Sequence, residues 1–296
     1  MFRVSLPRQR RTGNLGDTQR VAERIGRPRS GKSGKALLLT ILGEFVLPNG
    51  GSVWTSTVIE TLGLLGVGES NARQAASRLG EEGILAPVKM GRSTRWDLTA
   101  RGQRILSAGA ERIYEFGSSD QVWDSQWLLV LTSVPEEIRE KRHQVNRQLE
   151  FAGFGFLSAG VAVSPHADRE KETQAILEAL ELDPRPLVFR ASAGAFLPDR
   201  EVIGRAWDLD ALSGKYEIFL KEFARVRPNG GVACFESLVM LVHEWRRFPF
   251  EDPEIPLELL PAKWPGKRSK QLFDDRRALW SPAAVDWYRS LESKPN

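Results

Sequence analysis

The sequence predicts an α+β chain of several domains: a helix-rich N-terminal part closed by a β-hairpin, a central α/β part and a mostly helical C-terminal part. Three observations predict it. Residues 33–116 show helical periodicity interrupted by one glycine-split hairpin; residues 125–195 run strand, helix, strand, strand, helix, strand; from Asp199 onward the apolar spacing is helical. A chain of 296 residues with 41% apolar content is long enough for two or three cores.

Composition narrows the function classes. There is no run of about 18 apolar residues, so no membrane span is expected. The N-terminus is basic but lacks a following apolar segment, so it does not read as a secretory signal. A single cysteine, Cys234, excludes an internal disulfide framework and any Cys-rich metal site, and a cytoplasmic location is the simplest expectation. Residues 1–35 carry ten Lys/Arg against two Asp/Glu, whereas residues 36–116 carry eight of each. Residues 1–32 therefore read as a disordered basic arm suited to polyanions.

The ordered chain begins at Ser33, a cap for a broadly buried helix over Ser33–Leu47 that Pro48-Asn49-Gly50-Gly51 ends. Ser52–Trp54 is short and extended, and Thr55–Leu65 is a second helix. Gly66-Val67-Gly68 turns the chain into a third, Glu69–Glu82. In this third helix Ala72, Ala75, Ala76 and Leu79 form the apolar stripe. Ser70, Asn71, Arg73, Gln74, Ser77 and Arg78 supply hydrogen-bonding groups elsewhere on it. Arg pairs with guanine edges, Asn and Gln with adenine, and Ser and Arg with phosphates, which suits a helix lying in a DNA major groove. Gly83 stops the helix, and Ile84–Met90 and Thr94–Leu98 form a hairpin carrying Lys89, Arg92 and Arg95. Thr99 caps a further helix over Ala100–Phe116. A glycine turn between two helices, followed by a basic hairpin, predicts an N-terminal winged helix-turn-helix over 33–116.

Gly117–Asp124 is a polar linker. Trp127–Leu131 is a continuous apolar run expected of a central strand. Pro135–Phe151 is a charged helix, Leu157–Ser164 one or two strands, Asp168–Leu180 a helix and Leu187–Ala191 a last strand. The order βαββαβ predicts a ferredoxin-like sandwich over 125–195. The C-terminal part, 199–296, reads as helices over Glu201–Trp207, Ser213–Val226, Gly230–Arg247, Ser269–Leu279 and Pro282–Leu291. The proline-rich stretch Phe248–Pro265 interrupts them.

Several blocks carry a resemblance. Ala72-Arg73-Gln74-Ala75-Ala76-Ser77-Arg78-Leu79 with Gly83 after it, Leu128–Glu136 (LLVLTSVPE) followed by Ala152-Gly153-Phe154-Gly155-Phe156-Leu157, and Val242-His243-Glu244-Trp245-Arg246-Arg247-Phe248-Pro249 with Asp252–Pro256 and Leu259–Gly266 resemble the PaaX family of bacterial transcriptional repressors. The resemblance runs from about Ser33 to the end. It implies a homodimeric repressor of aromatic-acid catabolism, bound to a near-palindromic operator in double-stranded DNA and released by an aryl-CoA thioester, typically phenylacetyl-CoA. The middle part also resembles Cas2 endoribonucleases, which place a metal-binding Asp at the end of the first strand. Here that position is Thr132-Ser133, with no carboxylate until Glu136, so a non-catalytic domain is expected; the alternatives are a metal-dependent nuclease on this domain and a nucleic-acid-binding protein with no small-molecule effector.

No enzyme motif emerges. His143, His166 and His243 are far apart, and His243-Glu244 is followed by Trp245-Arg246-Arg247 rather than completing a zinc motif. No bound cofactor is expected. An acyl-CoA effector needs cations for its phosphates and an apolar slot for its acyl group. Trp245, Arg246, Arg247, Trp264, Lys267 and Arg268 are the candidates, with Phe248, Phe250, Lys263 and Lys270 nearby.

Overall fold

Ser33 opens the first helix, its hydroxyl accepting from the Ala36 N–H at 3.2 Å. The structure, a computed structural model, describes residues 33–118, 122–133, 139–182 and 184–293. The basic arm expected at 1–32 and the start of the charged helix at 135–138 lie outside the described residues.

The N-terminal part places α1 (Gly34–Ile41), β1 (Ser52–Trp54), α2 (Thr55–Leu64), α3 (Glu69–Glu81), β2 (Leu85–Met90), β3 (Ser93–Leu98) and α4 (Ala100–Glu115) in that order. The single helix expected over Ser33–Leu47 is α-helical only in its first half. It widens into a π turn over Leu42–Val46 and then tightens into a 3-10 turn over Leu47–Asn49. Donors beyond the helix explain why the widened end is tolerated. Asn49 Nδ2 donates to the Phe45 carbonyl at 2.7 Å and the Gly51 N–H to the Val46 carbonyl at 2.9 Å. The antiparallel sheet has the order β1-β3-β2. Thr99 caps α4 as expected, accepting from the Gly102 N–H at 2.9 Å while donating to the Gly83 carbonyl at 2.6 Å. Gly102 is required there: a Cβ on it would lie 2.3 Å from the Ile84 carbonyl oxygen, so α4 docks directly on backbone.

The middle part contains β4 (Trp127–Leu131), α5 (Arg139–Phe151), β5 (Gly155–Ser158), β6 (Val161–Ser164), α6 (Glu170–Ala179) and β7 (Leu187–Ala191). The four strands form an antiparallel sheet in the order β5-β6-β4-β7, the split βαβ arrangement that the element order predicts. One face buries Leu128, Val130 and Ala162 under Val145 and Leu149 of α5 and Ile176 and Leu177 of α6. The other face buries Trp127 and Val163 against Val202 and Ile203 of α7 (Asp199–Ala206) and against Ile255.

Beyond α7 come α8 (Leu209–Phe223), α9 (Gly231–Trp245), the one-turn α10 (Phe248–Glu251) and α11 (Gly266–Glu292). α8 starts earlier than the apolar spacing suggests because Asp208 caps it, accepting from the Ala211 N–H at 2.9 Å. The two closing helices expected at Ser269–Leu279 and Pro282–Leu291 are one helix that runs through Pro282. Its buried residues Ser269, Phe273, Trp280, Ala284, Tyr288 and Leu291 keep helical spacing across the proline. Packing of that stripe outweighs the lost hydrogen bond to the Ala278 carbonyl.

The N-terminal part and α8–α11 share one hydrophobic core. Leu38, Phe45 and Val46 belong to the same buried cluster as Phe235, Leu238, Trp280 and Tyr288. The Phe45 ring lies 4.8 Å from Phe235 and 5.3 Å from Tyr288, centroid to centroid. The chain thus forms two packed bodies: the N-terminal part with α8–α11, and the middle sandwich with α7.

Candidate nucleic-acid interface and ligand cavity

The stripe in α3 is buried as its spacing dictates: Ala72, Ala76 and Leu79 are 0% exposed and Ala75 2%. The small side chains let α3 sit close to α1 and α2, and Trp96 lies 3.2 Å from where a Cβ on Gly80 would be. Ser70, Asn71, Arg73, Gln74, Ser77 and Arg78 are all exposed. Arg73 is not free: its Nε and Nη2 donate to Glu69 Oε1 at 3.0 and 2.8 Å, an exposed pair one turn apart. Such a pair contributes only about 0.2–1 kcal/mol, little enough for a phosphate or a base edge to replace the carboxylate.

Lys89 and Arg92 are exposed on the hairpin, but Arg95 is not part of that surface. In the β2–β3 register Lys89 pairs with Thr94 and Val88 with Arg95, so Lys89 and Arg95 project from opposite faces. Arg95 lies 5.4 Å over the Trp54 ring and influences the buried Tyr288 and half-buried Glu292 at the end of α11.

The expected effector residues divide. Trp245 is 0% exposed and lies among Phe116, Phe219, Phe248 and Phe273, its Nε1 donating to the Ile113 carbonyl at 3.1 Å. Arg246 is 5% exposed, and burial pulls its guanidinium down to about 10. Arg247 pairs with Glu244 at 3.4 Å and lies over the Phe248 ring, and Arg268 faces Glu217 at 4.0 Å. Only Trp245, Trp264 and Lys267 of the six line a common cavity.

That cavity, of about 340 Å³, lies where the two bodies meet. Its aromatic wall is Trp123, Tyr216, Trp245 and Trp264; its polar wall comes from His166 and Arg169 of the middle part and Asp252 and Glu254 of the segment after α10. Tyr216 donates to Asp252 Oδ2 at 2.6 Å and stacks on Phe248 at 4.1 Å. Burial pushes the Asp252 carboxyl up to about 6, against the opposing effect of the Tyr216 hydroxyl and the Glu254 N–H, which donates to its Oδ1 at 2.7 Å. His166 Nε2 donates to the Pro253 carbonyl at 2.9 Å, and burial, then the Arg169 charge, lowers its pKa. Arg169 Nη2 pairs with Glu254 at 3.1 Å. The cavity is therefore framed by aromatic rings, and the polar groups that line it are already committed to one another.

Comparison with known proteins identifies the architecture. A model described as PaaX-like protein matches residues 33–102, the PaaX protein central Cas2-like domain matches 120–203, and the PaaX-like protein C-terminal domain matches 207–290. The chain belongs to the PaaX family. It is 28% identical over 264 residues to the transcriptional repressor PaaX of Escherichia coli strain K12, across 86% of this chain and 82% of that protein. Its fold resembles that of the uncharacterized protein Rv0674 from Mycobacterium tuberculosis, with a TM-score of 0.59 and 21% identity over 87% of this chain and 99% of that one.

In this PaaX-family chain, sequence reasoning located the α3 face but missed half the cavity. Tyr216, Asp252, His166 and Arg169 come from three separate stretches. The available signal was the Asp252-Pro253-Glu254 block, where a proline separates two carboxylates in a chain segment that cannot be regular.

Proposed function

We propose that this chain is a sequence-specific DNA-binding transcriptional repressor of aromatic-acid catabolic genes, released from its operator by an aryl-CoA thioester such as phenylacetyl-CoA. The observation that carries the DNA-binding half is the exposed face of α3, six hydrogen-bonding side chains over a buried stripe of alanines, beside a hairpin presenting Lys89 and Arg92. The helix order and the β1-β3-β2 sheet support reading residues 33–116 as a winged helix-turn-helix, with α3 in the major groove and the hairpin along the backbone. The relative's description as a transcriptional repressor supports the same reading.

A homodimer would present two α3 helices to a near-palindromic site about 34–36 Å apart. The uncovered end of the middle sheet, where Leu187 and Phe189 of the edge strand β7 are 56% and 50% exposed, is a surface that a second copy could cover. The middle part acts in this reading without catalysis: Thr132, at the end of β4, has its N–H committed to the Gly160 carbonyl at 2.8 Å and offers no carboxylate. Among the described residues no helix is long and apolar enough to cross a membrane.

The effector reading rests on the aromatic wall. Trp123 and Trp264, the partly exposed rings of the lining, suit an aryl-acyl group, with the buried Tyr216 and Trp245 behind them, and about 340 Å³ holds that end of the thioester rather than the whole molecule. Asp252 and Glu254 disfavour phosphate deep in the cavity, which leaves the nucleotide to the exposed Lys267 of the lining, since Lys270 is already paired with Asp274.

Arg73→Ala and Arg78→Ala test the reading head. Each should weaken operator binding by about 1–3 kcal/mol where its guanidinium contacts a base, while leaving affinity for a scrambled duplex nearly unchanged. Fluorescence anisotropy at fixed salt measures both. Operator affinity unchanged in both variants would reject α3 as the reading helix.

A further inference from the structure

The guanidinium of Arg112, in the last turn of α4, lies 4.5 Å from the centroid of Phe151 and 4.5 Å from that of Phe250. Its Nη2 and Nε donate to the Pro249 carbonyl at 2.7 and 3.2 Å. Phe151 ends α5 of the middle sandwich, and Phe250 and Pro249 belong to α10. One side chain of the helix that follows the hairpin therefore touches both other parts of the chain.

Its place in the packing is specific. Two residues before Phe250, Phe248 is buried in the core shared by the N-terminal part and α8–α11. Five residues after it, Ile255 is buried in the core on the middle sheet. Residues 249–254 are thus a crossing between the two bodies, and Arg112 grips the start of that crossing. The far end is tied to the middle part by His166 to the Pro253 carbonyl and by Arg169 to Glu254. Asp252 and Glu254 in the same crossing line the cavity, as do Phe116 and Gly117, which directly follow α4.

The N-terminal part cannot move readily against α8–α11, because Phe45 packs on Phe235 and Tyr288 inside one core. Any change in the position of α3 relative to the middle sandwich must come from the joint between the two bodies. We infer that Arg112 is the positioning residue of that joint, so that a ligand displacing residues 249–254 re-aims the reading helix as one piece with the C-terminal helices. The inference rests on the operator-binding and effector reading above. Arginine suits the place because its planar cation stacks on aromatic faces while its fork hydrogen-bonds a carbonyl, and glutamine keeps the hydrogen-bonding capacity without the charge.

The test uses the full chain with spin labels on Lys171→Cys in α6 and Lys221→Cys in α8, both exposed positions, the native Cys234 being buried. Pulsed dipolar spectroscopy then reads the distance between the two bodies. The labelled chain should give a narrow distribution that broadens or shifts in Arg112→Gln and in Phe250→Leu. Each variant should still bind operator within about threefold of the parent, while the factor by which phenylacetyl-CoA weakens operator binding falls by about tenfold. Unchanged distributions together with an unchanged factor in both variants would overturn the inference. If phenylacetyl-CoA alters neither operator affinity nor the distance in the parent, the effector reading fails separately. The joint is then judged on the ligand-free distributions alone: broadening upholds Arg112, and no broadening overturns it.

Discussion

Replacing Trp245 by Ala should cost about 3–5 kcal/mol of folding stability, the range for deleting a fully buried aromatic ring. The indole is 0% exposed and stacks on Phe273 with centroids 4.8 Å apart and planes within 14°. Phe248 lies at 5.2 Å and Phe219 at 5.4 Å. The substitution leaves a void among these rings and strips the Ile113 carbonyl of its 3.1 Å donor. Because Ile113 belongs to α4, the loss falls on the core that joins the hairpin-bearing part to α8–α11. Trp245→Phe should retain much of the packing and lose mainly the hydrogen bond, a cost of about 1–3 kcal/mol. Urea unfolding of the three proteins measures the series through the midpoint and slope. A Trp245→Ala protein as stable as the parent but unable to bind an aryl-CoA would show that the indole serves the ligand and not the core.

Arg277→Met should destabilise by about 3 kcal/mol, the lower end of the range for breaking a buried ion pair, because the Arg277 side chain is itself 37% exposed. Its partner is the greater concern. The Glu44 side chain is 3% exposed in the π turn, where Arg277 donates to Oε1 from Nη2 at 2.9 Å and from Nε at 3.1 Å. The Tyr114 hydroxyl donates to the other oxygen, and Arg277 lies 4.1 Å over the Tyr114 ring. Without Arg277 the carboxylate keeps one donor and no counter-charge. Glu44→Gln should cost less, since the guanidinium left behind reaches water. Combining it with Arg277→Met should recover part of the loss, because no charge then remains buried. Denaturant unfolding of the two single variants and the double variant closes the cycle; strictly additive losses would mean that the two side chains do not interact.

What was legible in the sequence was whatever local spacing decides. The alanine stripe of α3 fixes its buried face, Ser33 and Thr99 cap the helices they precede, and Leu187–Ala191 is a strand with the limits its composition suggests. What was not legible depends on partners far along the chain. No periodicity in Leu37–Val46 says that this helix packs on Phe235 and Tyr288, yet that contact merges the first and last parts of the chain. Pro282 reads as a break, and the stripe on either side of it overrides the reading. Lys89 and Arg95 look like one basic tip until strand register assigns them to opposite faces. Arg246 and Arg247 look like ligand cations beside the aromatic residues Trp245, Phe248 and Phe250. The end of α9 instead takes Arg246 into the interior and pairs Arg247 with Glu244. The cavity was hardest to see, since His166, Tyr216 and Asp252 meet only once the middle sandwich has docked.

The most direct measurement is fluorescence anisotropy of labelled DNA from upstream of the protein's own gene, titrated with protein at fixed salt and then with phenylacetyl-CoA. Tight, saturable binding that the thioester reverses is the predicted result. Binding no tighter than to a scrambled duplex of the same length, or tight binding that the thioester leaves untouched, would contradict the account of an operator-bound repressor released through its aromatic cavity.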